Sequence, residues 1–106
     1  MKVVNGQYLF GFWDETYGDV VDHFEDYIGV QNAIDKQVVI RHIESLEDAI
    51  ASEMITDRFT GEMFNAGIYK DGPFTFSVDF FRYYKTQEIG LPREYEEYLL
   101  NVIKLR

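Results

Sequence analysis

The sequence predicts an α+β fold: a small, largely antiparallel sheet of about four strands packed by about four helices, in one compact domain over residues 1–106 with no linker. Three observations carry this. A chain of 106 residues has the size of one ordinary domain. Hydrophobic residues make up 46% and aromatics 17%, enough apolar surface to close a core without staples. Strand-like runs also alternate with runs of helical spacing, with no internal repeat or low-complexity stretch.

Gln7 to Trp13 is aromatic at alternating positions and follows an Asn-Gly pair, which predicts a turn and then a first strand. Val20, Val21, Phe24, Tyr27 and Ile28 recur at helical spacing before Gly29, predicting a helix over roughly 15–28 with Gly29 at C′. The β-branched run Gln37–Ile43 suits a second strand. Ser45, with Asp48 three residues on, then predicts the cap of a second helix over about 46–57.

Phe64–Tyr69 and Phe74–Phe76, joined by Lys70-Asp71-Gly72-Pro73, predict a hairpin whose second strand starts at a sheet edge because of Pro73. Ser77 caps a helix through Val78–Lys85, ended by Ile89-Gly90. Leu91-Pro92 opens a last helix with the apolar stripe Tyr95, Tyr98, Leu99, Val102 and Ile103.

The chain has no cysteine, so disulfides, thiolate zinc sites and a cysteine nucleophile are excluded and a reducing, cytoplasmic setting is expected. No signal-peptide core and no membrane-spanning apolar run is expected. Net charge is −9, and it is unevenly placed: residues 1–62 hold 13 acids and 4 bases, while residues 63–106 hold 6 of each. Such a surface repels phosphate backbones and anionic membranes, so the expected partner is a basic protein, with no nucleic acid and no membrane.

On the expected first helix Glu15, Asp19, Asp22 and Asp26 fall within about 60° of one another at 100° per residue, forming a ridge without Lys or Arg. It is either a solvated face or a partner-binding surface. Trp13, Tyr17 and Tyr69 are candidate aromatic anchors beside it, and a second candidate surface is the helix with Glu44, Glu47, Asp48 and Glu53. Phe80, Phe81, Tyr83 and Tyr84 point around most of their helix, so at least one face belongs to the core.

His23 and His42 are the only histidines, and G-x-S-x-G, phosphate-binding glycine loops and H-E-x-x-H are absent, so no catalytic residue, cofactor or metal is expected. A carboxylate–histidine metal or enzymatic site at Asp22, His23 and Asp26 is a lesser alternative.

Tyr69-Lys70-Asp71-Gly72-Pro73-Phe74, leading to Asp79-Phe80-Phe81 and then Ile89-Gly90-Leu91-Pro92-Arg93-Glu94-Tyr95-Glu96-Glu97-Tyr98-Leu99, resembles small bacterial immunity proteins of polymorphic-toxin and contact-dependent growth inhibition systems, mainly over residues 63–106. The resemblance implies a cytoplasmic, acidic, single-domain protein that neutralises a toxin, commonly a basic nuclease, by covering its active site. It assigns no binding residue. A nucleic-acid-mimic inhibitor of the anti-restriction or anti-CRISPR type is the alternative that shares the same acidity.

Overall fold

In the computed structural model, which describes residues 1–13 and 22–103, Asn5 and Gly6 both take positive φ, 51° and 80°. That is the geometry an Asn-Gly pair supplies to a two-residue hairpin turn. It joins β1 (Lys2–Val4) to β2 (Gln7–Phe10). After β2 come a 3₁₀ turn (Phe24–Tyr27), α1 (Lys36–Glu44), β3 (Asp48–Thr56), β4 (Met63–Asp71), β5 (Phe74–Ser77), α2 (Val78–Thr86) and α3 (Arg93–Ile103).

The five strands lie in the order β1-β2-β5-β4-β3. β2 and β5 are parallel and the other three pairings antiparallel, so the sheet is mixed, with five strands among the described residues where about four were expected; the described residues hold three α-helices, and most of the helix expected over 15–28 lies outside them. Pro73 does not mark an edge, because β5 is central. Its ring sits in the turn before the ladder begins, where no N–H is needed, and its carbonyl accepts from Tyr8 N at 2.8 Å.

Register places rings in rows. Tyr8 stacks on Phe74 and Phe10 on Phe76, each at 5.0 Å between centroids, and Tyr69 continues the row onto Phe76 at 5.5 Å. All three helices pack on this ring-bearing face. α2 contributes Phe80 and Phe81, α3 Tyr95 and Leu99, and α1 Val39 and Ile43. Ser77 caps α2 as expected, its hydroxyl accepting from Phe80 N and donating to Gly11 O. Gly11 is obligatory here: at φ 76° a Cβ would lie 2.5 Å from Phe80 Cβ.

Two elements exchange places with their expectations. Gln37–Ile43, read as a strand, lies within α1; 46–57, read as a helix, holds β3. Asp35 supplies the cap through Gln37 N at 2.7 Å, and Val39, His42 and Ile43 turn inward at i, i+3 and i+4. Helical burial of that face outweighs the modest β preference of its valines. Ser45 ends the helix, with Ser45 N and Oγ both donating to His42 O.

Tyrosine protonation is tied to this packing. Burial, and then the charges of Glu96 and Asp35, push the Tyr84 hydroxyl up to about 12 from 10.0. Burial and a neighbouring aspartate raise Tyr27 and Tyr95 further. Unfolded tyrosines ionise near 10, so this stability is fully present below pH 10 and is lost as pH rises through the folded value. The urea midpoint should therefore fall between pH 10 and about 12. The slope is roughly 1.4 kcal/mol per pH unit for each tyrosine held protonated. A midpoint flat across that window would show that these hydroxyls are not buried.

Candidate functional site

Of the expected site residues, Glu15, Tyr17 and Asp19 lie outside the described residues. Asp22 does not belong to an exposed ridge. It is 3% exposed and accepts from Gly11 N at 2.7 Å and from the Tyr27 hydroxyl at 2.6 Å, with the Met1 amino group 3.5 Å away. The backbone explains why: His23 is extended (φ −110°, ψ 129°) and only Phe24–Tyr27 turns, so Asp22 and Asp26 share no helical phase. Asp26 remains exposed.

Trp13 is likewise not a surface anchor. It is 1% exposed, ringed edge-on by Phe24 at 5.5 Å and Tyr27 at 5.7 Å. Nor do Asp22, His23 and Asp26 form a cation site, since Asp22 is already engaged; among the described residues no group of three or more His, Cys, Asp or Glu could hold a metal.

A buried polar cluster lies where α1, α3 and the end of β4 meet. Asp71 Oδ2 is 2.8 Å from His42 Nε2 and accepts from the Tyr95 hydroxyl at 2.7 Å; Oδ1 accepts from Tyr98 at 3.1 Å. An ionised Asp71 accepts all three bonds, which places the imidazole proton on Nε2. Asp71, His42 and Tyr95 are buried, so this is a joint between elements rather than a site open to substrate.

The surface that does present free charge runs from the end of α1 along β3. No Lys or Arg occurs between Arg41 and Arg58, and Glu44, Glu47, Asp48 and Glu53 are all exposed, with no ion-pair partner among the described residues. Asp57, further along, is different. Burial would raise its carboxyl, but Arg82 Nε at 2.6 Å and the amides of Phe59 and Thr60 hold it below the usual range. Arg82 also reaches Glu62 at 3.3 Å, so Arg82 neutralises the hairpin tip; the four carboxylates upstream make no ion pair among the described residues, with Lys70 on β4 the cation in the concavity it shares with Glu47 and Asp48.

Apolar surface is interleaved with that charge. Ile50 is 54% and Met54 49% exposed, because β3 is the sheet's margin and pairs only with β4. Its ladder is interrupted: Ile50 opposes Gly67, and the next partners are Met54 and Asn65. Ala51–Glu53 bulge out opposite Ala66, steadied by Asn65 Nδ2 donating to Ala51 O at 3.2 Å. Gly67 permits the close approach, since a Cβ there would meet Ala49 O at 2.6 Å.

Tyr69 keeps a place in this surface. It is half-buried on Phe76 and Phe81, and burial first, then the charges of Asp48 and Glu44, raise its hydroxyl. Glu44, Glu47, Asp48 and Glu53 were expected as a second surface, but on a helix; the run from His42 to Asp57, acidic and apolar without a single Lys or Arg, is the signal that sets it apart.

No protein-family model, curated protein or solved structure matches the chain. Among the described residues no helix is long and apolar enough to cross a membrane.

Proposed function

We propose that this chain is a binding protein that performs no chemistry of its own and neutralises a basic protein partner, as an immunity protein does a toxin that handles nucleic acid. The observation that carries the reading is the exposed acidic surface of Glu44, Glu47, Asp48 and Glu53, which make no ion pair among the described residues, with Ile50 and Met54 exposed among the carboxylates. A nuclease presents a positive cleft for phosphates, and a surface of exposed carboxylates is complementary to it in charge. Complementary charge lifts association rates to about 10⁸–10⁹ M⁻¹s⁻¹ at low salt, a useful property against a lethal target. Apolar side chains at the centre of the contact then slow release.

The test is capture of the partner from the source organism, followed by assay of the partner's nuclease activity with the chain added. Suppression of a basic nuclease at stoichiometric chain supports the reading; an acidic partner, or a nuclease left fully active, contradicts it. Reversing Glu44, Glu47, Asp48 and Glu53 to Lys should leave the fold intact, because all four are exposed. It should cut the association rate by roughly 10–100-fold at low salt. A rate unchanged by the four substitutions moves the contact off this surface.

A further inference from the structure

Resting on the reading above, we propose how the partner is held: the open edge of β3 takes an extended, Lys- or Arg-bearing segment of the partner protein as an added strand. The sheet has two margins. β1 is three residues long and carries Lys2, whereas β3 spans nine residues and is bounded only by acids. Eight of its nine residues are exposed, so nothing in the described chain covers it. Beside the bulge, Ala49, Ala51, Ala66 and Ile68 floor a shallow trough of about 340 Å³, room for an apolar side chain of the incoming strand. Glu53 lines the same trough, so an occupant with basic and apolar side chains in alternation sets an apolar side chain into the trough and basic ones near Glu53 at its rim and Asp48 at the start of the strand.

The charge also selects the occupant. A second copy pairing antiparallel along β3 brings two edges of the same sign together, Asp48 and Glu53 of each, and like charges across a strand pair destabilise it. Charges and bulges ordinarily guard edges against pairing. Here the guard has one sign only, so it rejects this chain and admits a basic segment. The bulge divides the edge into two short ladders, Asp48–Ile50 and Met54–Thr56, where backbone pairing is expected.

The experiment uses the full chain, isotope-labelled, titrated to millimolar levels with three short peptides: one alternating Lys and Val, the same peptide N-methylated at alternate backbone nitrogens, and one alternating Glu and Val. The Lys peptide should shift the amides of Asp48–Ile50 and Met54–Thr56 and slow their hydrogen exchange. The N-methylated peptide, with equal charge but fewer donors, should bind at least about tenfold more weakly. The Glu peptide should not bind. Equal binding by the N-methylated peptide overturns strand pairing while leaving a basic partner intact. No shift in β3 with any peptide overturns the edge as a docking surface, and the capture experiment then decides the functional reading separately. Protection of β3 that grows with protein concentration alone would make a second copy the occupant and overturn the proposal.

Discussion

Replacing Trp13 with alanine should lower the folding free energy by about 3–5 kcal/mol, the usual cost of emptying a large aromatic from a core. The residue is 1% exposed. Besides Phe24 and Tyr27 it meets Phe80 at 6.1 Å and Tyr83 at 6.5 Å, and the Arg58 guanidinium lies 6.0 Å from its ring. It therefore joins the 3₁₀ turn to α2. A surface anchor would behave otherwise, since truncation of an exposed side chain changes stability by no more than about 0.5 kcal/mol. Urea unfolding of the two proteins decides between these outcomes. Because Trp13 is the only tryptophan, its fluorescence gives an independent readout: blue-shifted emission that iodide does not quench. Stability within about 0.5 kcal/mol of the parent, or free quenching, would place the indole at the surface.

Asp71→Ala should cost a similar amount, about 3–5 kcal/mol, by a different route. The carboxylate is the acceptor for His42, Tyr95 and Tyr98, and removing it strands the buried donors of His42 and Tyr95, which water cannot reach. Asp71→Asn keeps the volume and one carbonyl acceptor, so its loss should be smaller, about 1–3 kcal/mol. The order Ala worse than Asn is the signature of a polar joint held by Asp71, since an apolar filler would show the reverse. Thermal unfolding measures both, with the His42 imidazole proton by NMR as a local readout. A loss below about 1 kcal/mol for Asp71→Ala would mean that the three donors find other acceptors.

Local chemistry was legible wherever one residue type has one geometric use. Asn5-Gly6, Asp71-Gly72, the Ser77 cap and the Tyr95–Leu99 stripe each specify a turn, a cap or a face without help from the rest of the chain. The exchange at 37–57 shows the limit. Val38, Val39 and Ile40 favour a strand by propensity, yet Val39, His42 and Ile43 also carry the helical period, and the core chose the period. Ala49 and Met54 are good helix formers that become strand because β4 offers them a ladder.

The acidic site was half legible for a related reason. Net charge and its bias to residues 1–62 are sequence properties, but the faces on which carboxylates lie depend on the elements. Asp22, spaced four residues from Asp26 as on a helix, is instead drawn inward by Gly11 and Tyr27. Glu44, Glu47, Asp48 and Glu53 were assigned to a helix and are gathered instead by the junction of α1 with an edge strand.

The central claim, that this junction and edge form the partner-binding surface, is tested most directly by the amide hydrogen-exchange footprint of the captured partner on the intact chain. The account predicts slowed exchange across residues 44–56, with β1 and α3 unchanged. Protection centred on Asp26 and the 3₁₀ turn, or on α3, with 44–56 exchanging as in the free protein, would contradict it.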